Sequence, residues 1–387
     1  MDARASRASA KVERVLAALS HREPDRVPVG EFFWSGFVRR ARERYGNGGF
    51  DPYRHWDLDL VVITPNMDPR ITGIRVVEES GDRRVVKTGF GATIEMRSSC
   101  PMPRYLDFET RTFEQMEALR FDDPADERRF TVALDDQINS VGDALHLGYP
   151  SFVDRVKAYA DDFCVFGSVC EPHELLWRII GSENALIKMA EEPARLARFI
   201  ERLGDFLVGI ARAQIAAAGG RLSGLYIWGD VAYVRGMFFS PEYWRAAYKP
   251  QLRRICQVVH EAGLRTIYHG CGNASAVFED MIEAGVDAYN PLEAKSGLNV
   301  VELKRRYGTR WAFNGNIDVT VLATNDRQRI RREVLTKLNA AKGGGYIVQS
   351  DHSIPDNVDP SSYDYVVQLV REHGRYPLRL GEYDMEV

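Results

Sequence analysis

The sequence predicts an α/β protein, a (β/α)8 TIM-like barrel that carries a small antiparallel β insertion near residues 72–98. Three observations lead there. From about residue 160 onward, a short apolar run ending in Gly, Asn or Asp is repeatedly followed by a longer segment with helical spacing, as in parallel strands joined by helices. Two more apolar runs near the start bring the total to eight, the number that closes a parallel sheet with helices outside. At 387 residues with 45% hydrophobic side chains, the chain can fill one barrel with insertions, with residues 1–387 as a single domain.

The first two expected strands are 27–31 (VPVGE) and 58–64 (LDLVVIT). Residues 72–98 break the rhythm. Segments 75–79 and 83–88 alternate apolar and polar residues around Gly81-Asp82, and 92–97 repeats the alternation after Gly89-Phe90-Gly91. That pattern reads as a small antiparallel sheet, either a surface decoration or an element over the barrel mouth. The remaining strands are expected at 163–168 (FCVFGS), 224–229 (GLYIWG), 265–270 (RTIYHG), 286–291 (VDAYNP), 311–316 (WAFNGN) and 345–350 (GYIVQS). Helix signals fall between them. Ser240-Pro241-Glu242 supplies an N-cap, a first-turn proline and an early acid, and Pro250 restarts a helix that runs toward Gly263. Gly343-Gly344-Gly345 precedes a strand rather than a helix N-terminus, which makes it a loop and not a phosphate cradle.

Composition narrows the function. With 51 Lys+Arg against 55 Asp+Glu the net charge is -4, which offers no general attraction for nucleic acid or an anionic membrane surface. A small-molecule partner suits it better. The five cysteines, Cys100, Cys164, Cys170, Cys256 and Cys271, are scattered and odd in number, so free thiols in a reducing compartment are expected. The polar first residues lack the apolar centre of a secretory signal, and no run is long enough to span a bilayer; a cytoplasmic location is the expectation.

In a barrel, catalytic groups gather at the C-terminal ends of strands, so the polar residues that close each apolar run are the candidates. His269-Gly270-Cys271-Gly272 is the sharpest: residues two apart on a strand share a face, and the glycines leave room for a ligand or ion. Imidazole and thiolate make two-thirds of a catalytic zinc site, whose third protein ligand must come from elsewhere. His352, closing the last run, is the expected third ligand, with Asp351, Glu31, Cys170 and Glu171 as substitutes. On spacing alone, a tucked-in Cys beside a hydrogen-bonded structural His is the favoured reading. Asp230 follows an apolar run and a glycine, where it can hold a substrate proton or cap the next turn. Glu31 stands similarly, with Phe33 and Trp34 after it as a pocket wall. Trp228, Asn290 and Asn316 are the further candidates for substrate contact.

An ordered set of blocks resembles the uroporphyrinogen decarboxylase superfamily over nearly the whole chain. These are Arg14 to Leu19 (RVLAAL), Pro24-Asp25-Arg26-Val27-Pro28, Phe239-Ser240-Pro241-Glu242, His269-Gly270-Cys271-Gly272-Asn273, Gly285-Val286-Asp287, Tyr307-Gly308, Asn314-Gly315-Asn316-Ile317-Asp318 and Gly344-Gly345-Tyr346-Ile347. The resemblance implies a (β/α)8 barrel with a deep cleft at the strand C-termini. Within the superfamily, the decarboxylases carry an Arg-Gln-Ala-Gly-Arg block after the first strand to hold substrate carboxylates. Here that place reads Glu31-Phe32-Phe33-Trp34-Ser35-Gly36, which suits a polyanion poorly. The zinc-dependent methyltransferases that exchange methyl groups with a corrinoid use a His-x-Cys pair at one strand end and a Cys near the last. Here the pair is His269 and Cys271, and His352 stands at the final position. Imidazole is an acceptable zinc ligand.

The resemblance therefore implies a zinc-dependent methyltransferase, with one zinc per chain held by His269, Cys271 and His352. It would exchange methyl between a corrinoid and a small substrate such as a thiol or a methoxylated compound, demethylation being the reverse direction. Asp230 and Glu31 would position or protonate the substrate, and Trp34, Phe33 and Trp228 would shape the pocket. No Asp-x-His-x-x-Gly corrinoid-binding motif occurs, so a separate corrinoid protein is the expected partner, and a homodimer is compatible with the sequence. Two other readings remain open: a metal-independent decarboxylase or lyase using Asp230 and His352, and a barrel that binds a tetrapyrrole or corrinoid without catalysis.

Overall fold

The computed structural model describes residues 3–46, 49–71, 75–97, 100–132 and 150–387. Its centre is a parallel sheet of seven strands in the order Leu60–Val62, Cys164–Cys170, Gly224–Trp228, Arg265–His269, Ala288–Asn290, Ala312–Asn314 and Tyr346–Ile347. The segment expected as the first strand closes the ring. Val29 bridges in parallel to Val348 on one side, and Gly30 to Leu60 on the other. All eight expected runs thus lie in a curled parallel sheet, with helices between successive strands.

Alternation along each strand divides the apolar residues into two layers. Leu60, Phe166, Tyr226, Ile267, Ala288, Ala312 and Ile347 point inward and fill the barrel, and Val15, Ala18 and Leu19 of helix Ala3–Leu19 pack against them. The larger layer lies between strands and helices, where helices such as Pro193–Ala217 and Lys249–Glu261 bury their apolar stripes. The expected break after Ser240 is present: Ser240 caps helix Pro241–Ala247 by accepting from Tyr243 N, and the next helix begins at Lys249, one residue before Pro250.

The insertion is larger than the sequence suggests. Four antiparallel strands, Arg75–Ser80, Arg83–Lys87, Ala92–Arg97 and Cys100–Phe108, form a separate sheet with its own small core of Val86, Ala92, Ile94 and Met96. The fourth strand lies beyond the expected insertion; it carries Pro101 and Pro103 and runs at the sheet edge, where proline is tolerated. Among the described residues, no helix is long and apolar enough to cross a membrane.

Candidate active site

The strand registers decide which side chains meet. On the strand Arg265–His269, His269 pairs with Trp228 on one neighbour and with Asn290 on the other, so three polar or aromatic tips stand in a row. They open into a cavity of about 430 Å³ at the C-terminal ends of the strands. Cys271, Asp230, His352, Trp34 and Phe33 line the same cavity.

His269 is held in one tautomer. Asn290 Nδ2 donates to Asn314 O at 2.8 Å, which turns Asn290 Oδ1 toward His269 Nδ1 at 2.6 Å. Nδ1 therefore carries the proton and Nε2 presents a bare lone pair. Burial lowers the imidazole pKa to about 4, so it is neutral near pH 7. Nε2 stands 3.6 Å from Cys271 Sγ.

Cys271 sits just beyond the strand, and carboxylates fix its backbone. Asp230 Oδ1 accepts from Cys271 N at 2.8 Å, and Glu293 Oε2 accepts from Gly272 N at 3.0 Å. The two glycines do not leave space for a ligand, as their sequence position suggested. Gly272 has φ +77, and a Cβ there would lie 2.6 Å from Tyr233 N, because the hairpin of Ala232–Tyr233 and Gly236–Met237 fills the space. Burial, followed by the charges of Asp230 and Glu293, pushes the Cys271 thiol pKa well up. Burial likewise raises the Asp230 and Glu174 carboxyls.

These donors fall into two compact groups, Asp230, His269 and Cys271, and Cys271, Glu293 and His352, each with ligand atoms within 4.8 Å of one another. Cys271 is common to both. Neither group holds His269 and His352 together, so the expected trio is not one compact set; each group separately offers donors that zinc takes, tetrahedral N and S ligands standing about 3.5 Å apart. A cation would also relieve the burial of a thiol among carboxylates. The substitutes for a third ligand are engaged elsewhere. Asp351 accepts from Ala294 N and Val319 N, Glu171 from His173 N and Trp244 Nε1, and Cys170 is fully buried in its strand.

Glu31 and Asn316 do not line the cavity. Glu31 is 4% exposed, and burial pushes its pKa up to about 8. Its Oε1 lies 2.6 Å from Ser350 Oγ, which also touches the His352 carbonyl. With one hydroxyl proton available, a protonated Glu31 donates to Ser350, and Ser350 donates to His352 O. Asn316, at φ 75, accepts from Val300 N and donates to Leu292 O and Leu298 O; it ties loops together. Asn290 lines the cavity, but its polar atoms serve His269 and Asn314.

Several lining residues were not singled out from the sequence. Glu174, Trp177 and Arg178 come from helix Pro172–Ile180, directly after the strand ending at Cys170, and their i, i+3, i+4 spacing was the available signal. Met102, Pro103 and Tyr105 of the insertion also line the cavity, so that sheet contributes a wall of it.

Residues 80–373 match the family model for uroporphyrinogen decarboxylase (URO-D). The chain belongs to the uroporphyrinogen decarboxylase family. The chain is 28% identical over 206 residues to a uroporphyrinogen decarboxylase of Aeromonas salmonicida, covering 50% of this chain and 56% of that one. It is 30% identical over 192 residues to that of Thermus thermophilus, covering 48% and 50%. The chain spans about half the length of the curated relatives it matches. Among solved structures, a methyltransferase from Methanosarcina mazei superposes with a TM-score of 0.60 at 17% identity, covering 94% of this chain and 98% of that one, a likeness of fold.

Proposed function

We propose that this URO-D family member is a zinc-dependent methyltransferase that exchanges a methyl group between a corrinoid and a small substrate, with His269, Cys271 and His352 holding one zinc ion per chain. The observation that carries the reading is the bare His269 Nε2 set 3.6 Å from Cys271 Sγ at the edge of the cavity. His352, which joins Cys271 in the donor group that lacks His269, is taken as third ligand because Asp230 and Glu293 each already give one oxygen to the Cys271–Gly272 backbone, so in this reading the His352 side chain closes on the ion when it binds. Zinc, when bound, supplies a Lewis acid that stabilises a thiolate or an ether oxygen during methyl transfer.

The chain's own residues supply the rest. Asn290 holds the His269 ring; Trp228, 4.8 Å from that ring, and Trp34, stacked at 5.7 Å on His352, keep water from the donors. Asp230 faces the cavity with a raised pKa, so it can hold a proton at the substrate heteroatom. Glu31 acts from behind, through Ser350, on the backbone of His352. The partner in this reading is a corrinoid protein at the barrel mouth, in the cytoplasm.

The test is metal content with methyl transfer. Protein purified without chelators should hold about one zinc per chain, lost in Cys271→Ala and His269→Ala, and should change the visible spectrum of methylcobalamin with a suitable acceptor. Metal-free wild-type protein that still turns over would overturn the reading. It would favour the metal-independent decarboxylase, which the raised Asp230 carboxyl and the decarboxylase relatives also support.

A further inference from the structure

Helix Pro172–Ile180 carries an acid, Glu174, in its first turn, following the N-cap residue Glu171. From that place a glutamate usually reaches back to the N-cap backbone N–H. Here Glu171 N donates instead to Trp228 O at 2.7 Å, and the Glu174 carboxyl turns to the neighbouring strand end. Its Oε1 accepts from Asp230 N at 3.1 Å and its Oε2 from Arg178 Nη2 at 3.3 Å, and Trp177 adds a further hydrogen bond. Glu174 is buried, so its carboxyl has given up most of its water for these partners. Neutralising Arg178 accounts for one of its oxygens; the other is spent on Asp230.

The bond to Asp230 fixes a peptide rather than a side chain. Asp230 lies past Trp228, the last paired residue of its strand, so its N–H has no partner in the sheet. The carbonyl of the same peptide, Gly229 O, accepts from Tyr268 Oη at 2.8 Å. The Gly229–Asp230 peptide is thus held at both its N–H and its C=O, and it cannot rotate without losing both bonds. What it carries is the Asp230 carboxyl, whose Oδ1 accepts from Cys271 N at 2.8 Å. Glu174 therefore acts on Cys271 at one remove, through a backbone unit and a carboxylate. Behind it, Arg178 Nη1 donates to Tyr105 Oη at 3.3 Å, which joins the insertion strand Cys100–Phe108 to the same line of bonds.

We infer that Glu174 is a positioning residue of the donor cluster: it clamps the Gly229–Asp230 peptide so that the Asp230 carboxyl holds the Cys271 backbone, and Arg178, braced by Tyr105 of the insertion, keeps it in place. The inference rests on the proposed function only where the metal is concerned, because the clamp on Cys271 belongs to the metal-free chain as well.

In a Cys100→Ala background, Cys271 is the only cysteine that is not buried. Three readouts are taken on the full chain: the rate at which a chromogenic aryl disulfide reacts with Cys271 in metal-free protein, zinc affinity by chelator competition, and the thermal melt. Glu174→Leu should raise the thiol rate several-fold and weaken zinc binding about tenfold. Glu174→Gln, which keeps an oxygen for Asp230 N, should stay near wild type on both. Glu174→Leu combined with Arg178→Leu should regain thermal stability, since no buried charge is left unpaired, yet keep the altered thiol rate. A wild-type thiol rate in the folded double variant, or equal changes in Glu174→Gln and Glu174→Leu, would show that Glu174 serves only to balance Arg178 and would overturn the inference. Failure of both variants carrying Glu174→Leu to fold would mark a purely structural residue and overturn it too. A wild-type protein that binds no zinc sinks the methyl-transfer reading and leaves the thiol rates to decide the clamp, so the two fail separately.

Discussion

Asn290 and His269 face each other on adjacent strands, and the Asn290 amide oxygen lies 2.6 Å from His269 Nδ1. A second bond from Asn290 Nδ2 to Asn314 O fixes which end of the amide faces the ring. A residue that looks from the sequence like a substrate contact thereby sets the tautomer of a metal-ligating candidate.

Replacing Asn290 by Leu should weaken zinc binding about 10- to 100-fold, the usual effect of losing a ligand's orienting partner. The buried Asn314 and His269 polar atoms left behind should cost about 1–3 kcal/mol of stability. Competition with a chromogenic chelator and a denaturant titration read the two effects. Unchanged zinc affinity would show that the His269 ring needs no such support.

The third ligand can be told apart by paired variants. His352→Ala should lower zinc affinity more than Asp230→Asn or Glu293→Gln, whose oxygens chiefly hold the Cys271–Gly272 backbone. Cobalt substituted for zinc should give visible bands of a tetrahedral thiolate site that shift in His352→Ala. If Asp230→Asn changes the bands and His352→Ala does not, the group of Asp230, His269 and Cys271 is the metal site.

Gly272→Ala should be disruptive out of proportion to one methyl group. The residue sits at φ +77 and the new Cβ would meet Tyr233 N at 2.6 Å, so either the hairpin or Cys271 must move. A loss of about 1–3 kcal/mol in stability and a clear fall in zinc content are expected. Thermal melts with metal analysis decide it; a variant that melts and binds zinc like the wild type would contradict the packing described.

Glu31 gives a pH signature. Burial raises its folded-state pKa from 4.5 to about 8, so folding favours the protonated form. The stabilisation is complete below pH 4.5 and drains away as pH rises through that window to about 8. Glu31→Gln keeps a neutral side chain at every pH. Relative to wild type it should gain roughly 2–4 kcal/mol on going from pH 5 to 8.5. Parallel denaturant titrations at the two pH values check this, and a pH-independent difference would mean that Glu31 is ionised in the folded protein.

The seven strands and the bridging segment at Val29 and Gly30 were legible in the sequence because each is a short apolar run stopped by a turn residue, a pattern that local chemistry writes directly. So was the clustering of His269, Cys271, Asp230 and His352 at one mouth, since a closed parallel barrel sends every strand end to the same face. The fourth insertion strand, Cys100–Phe108, lies outside the expected insertion, and its two prolines are tolerable only at the sheet edge.

What the chain order alone cannot express is register and reach across strands. Pairing of His269 with Asn290 assigned that amide to the imidazole, and the hairpin at Tyr233 claimed the space beside Gly272. Glu31 turned away from the cavity because Ser350, 319 residues later, offered its carboxyl a buried partner. Each of these outcomes depends on contacts between residues distant in sequence, where burial makes an unpartnered polar atom costly, so packing and not local pattern chose the partners.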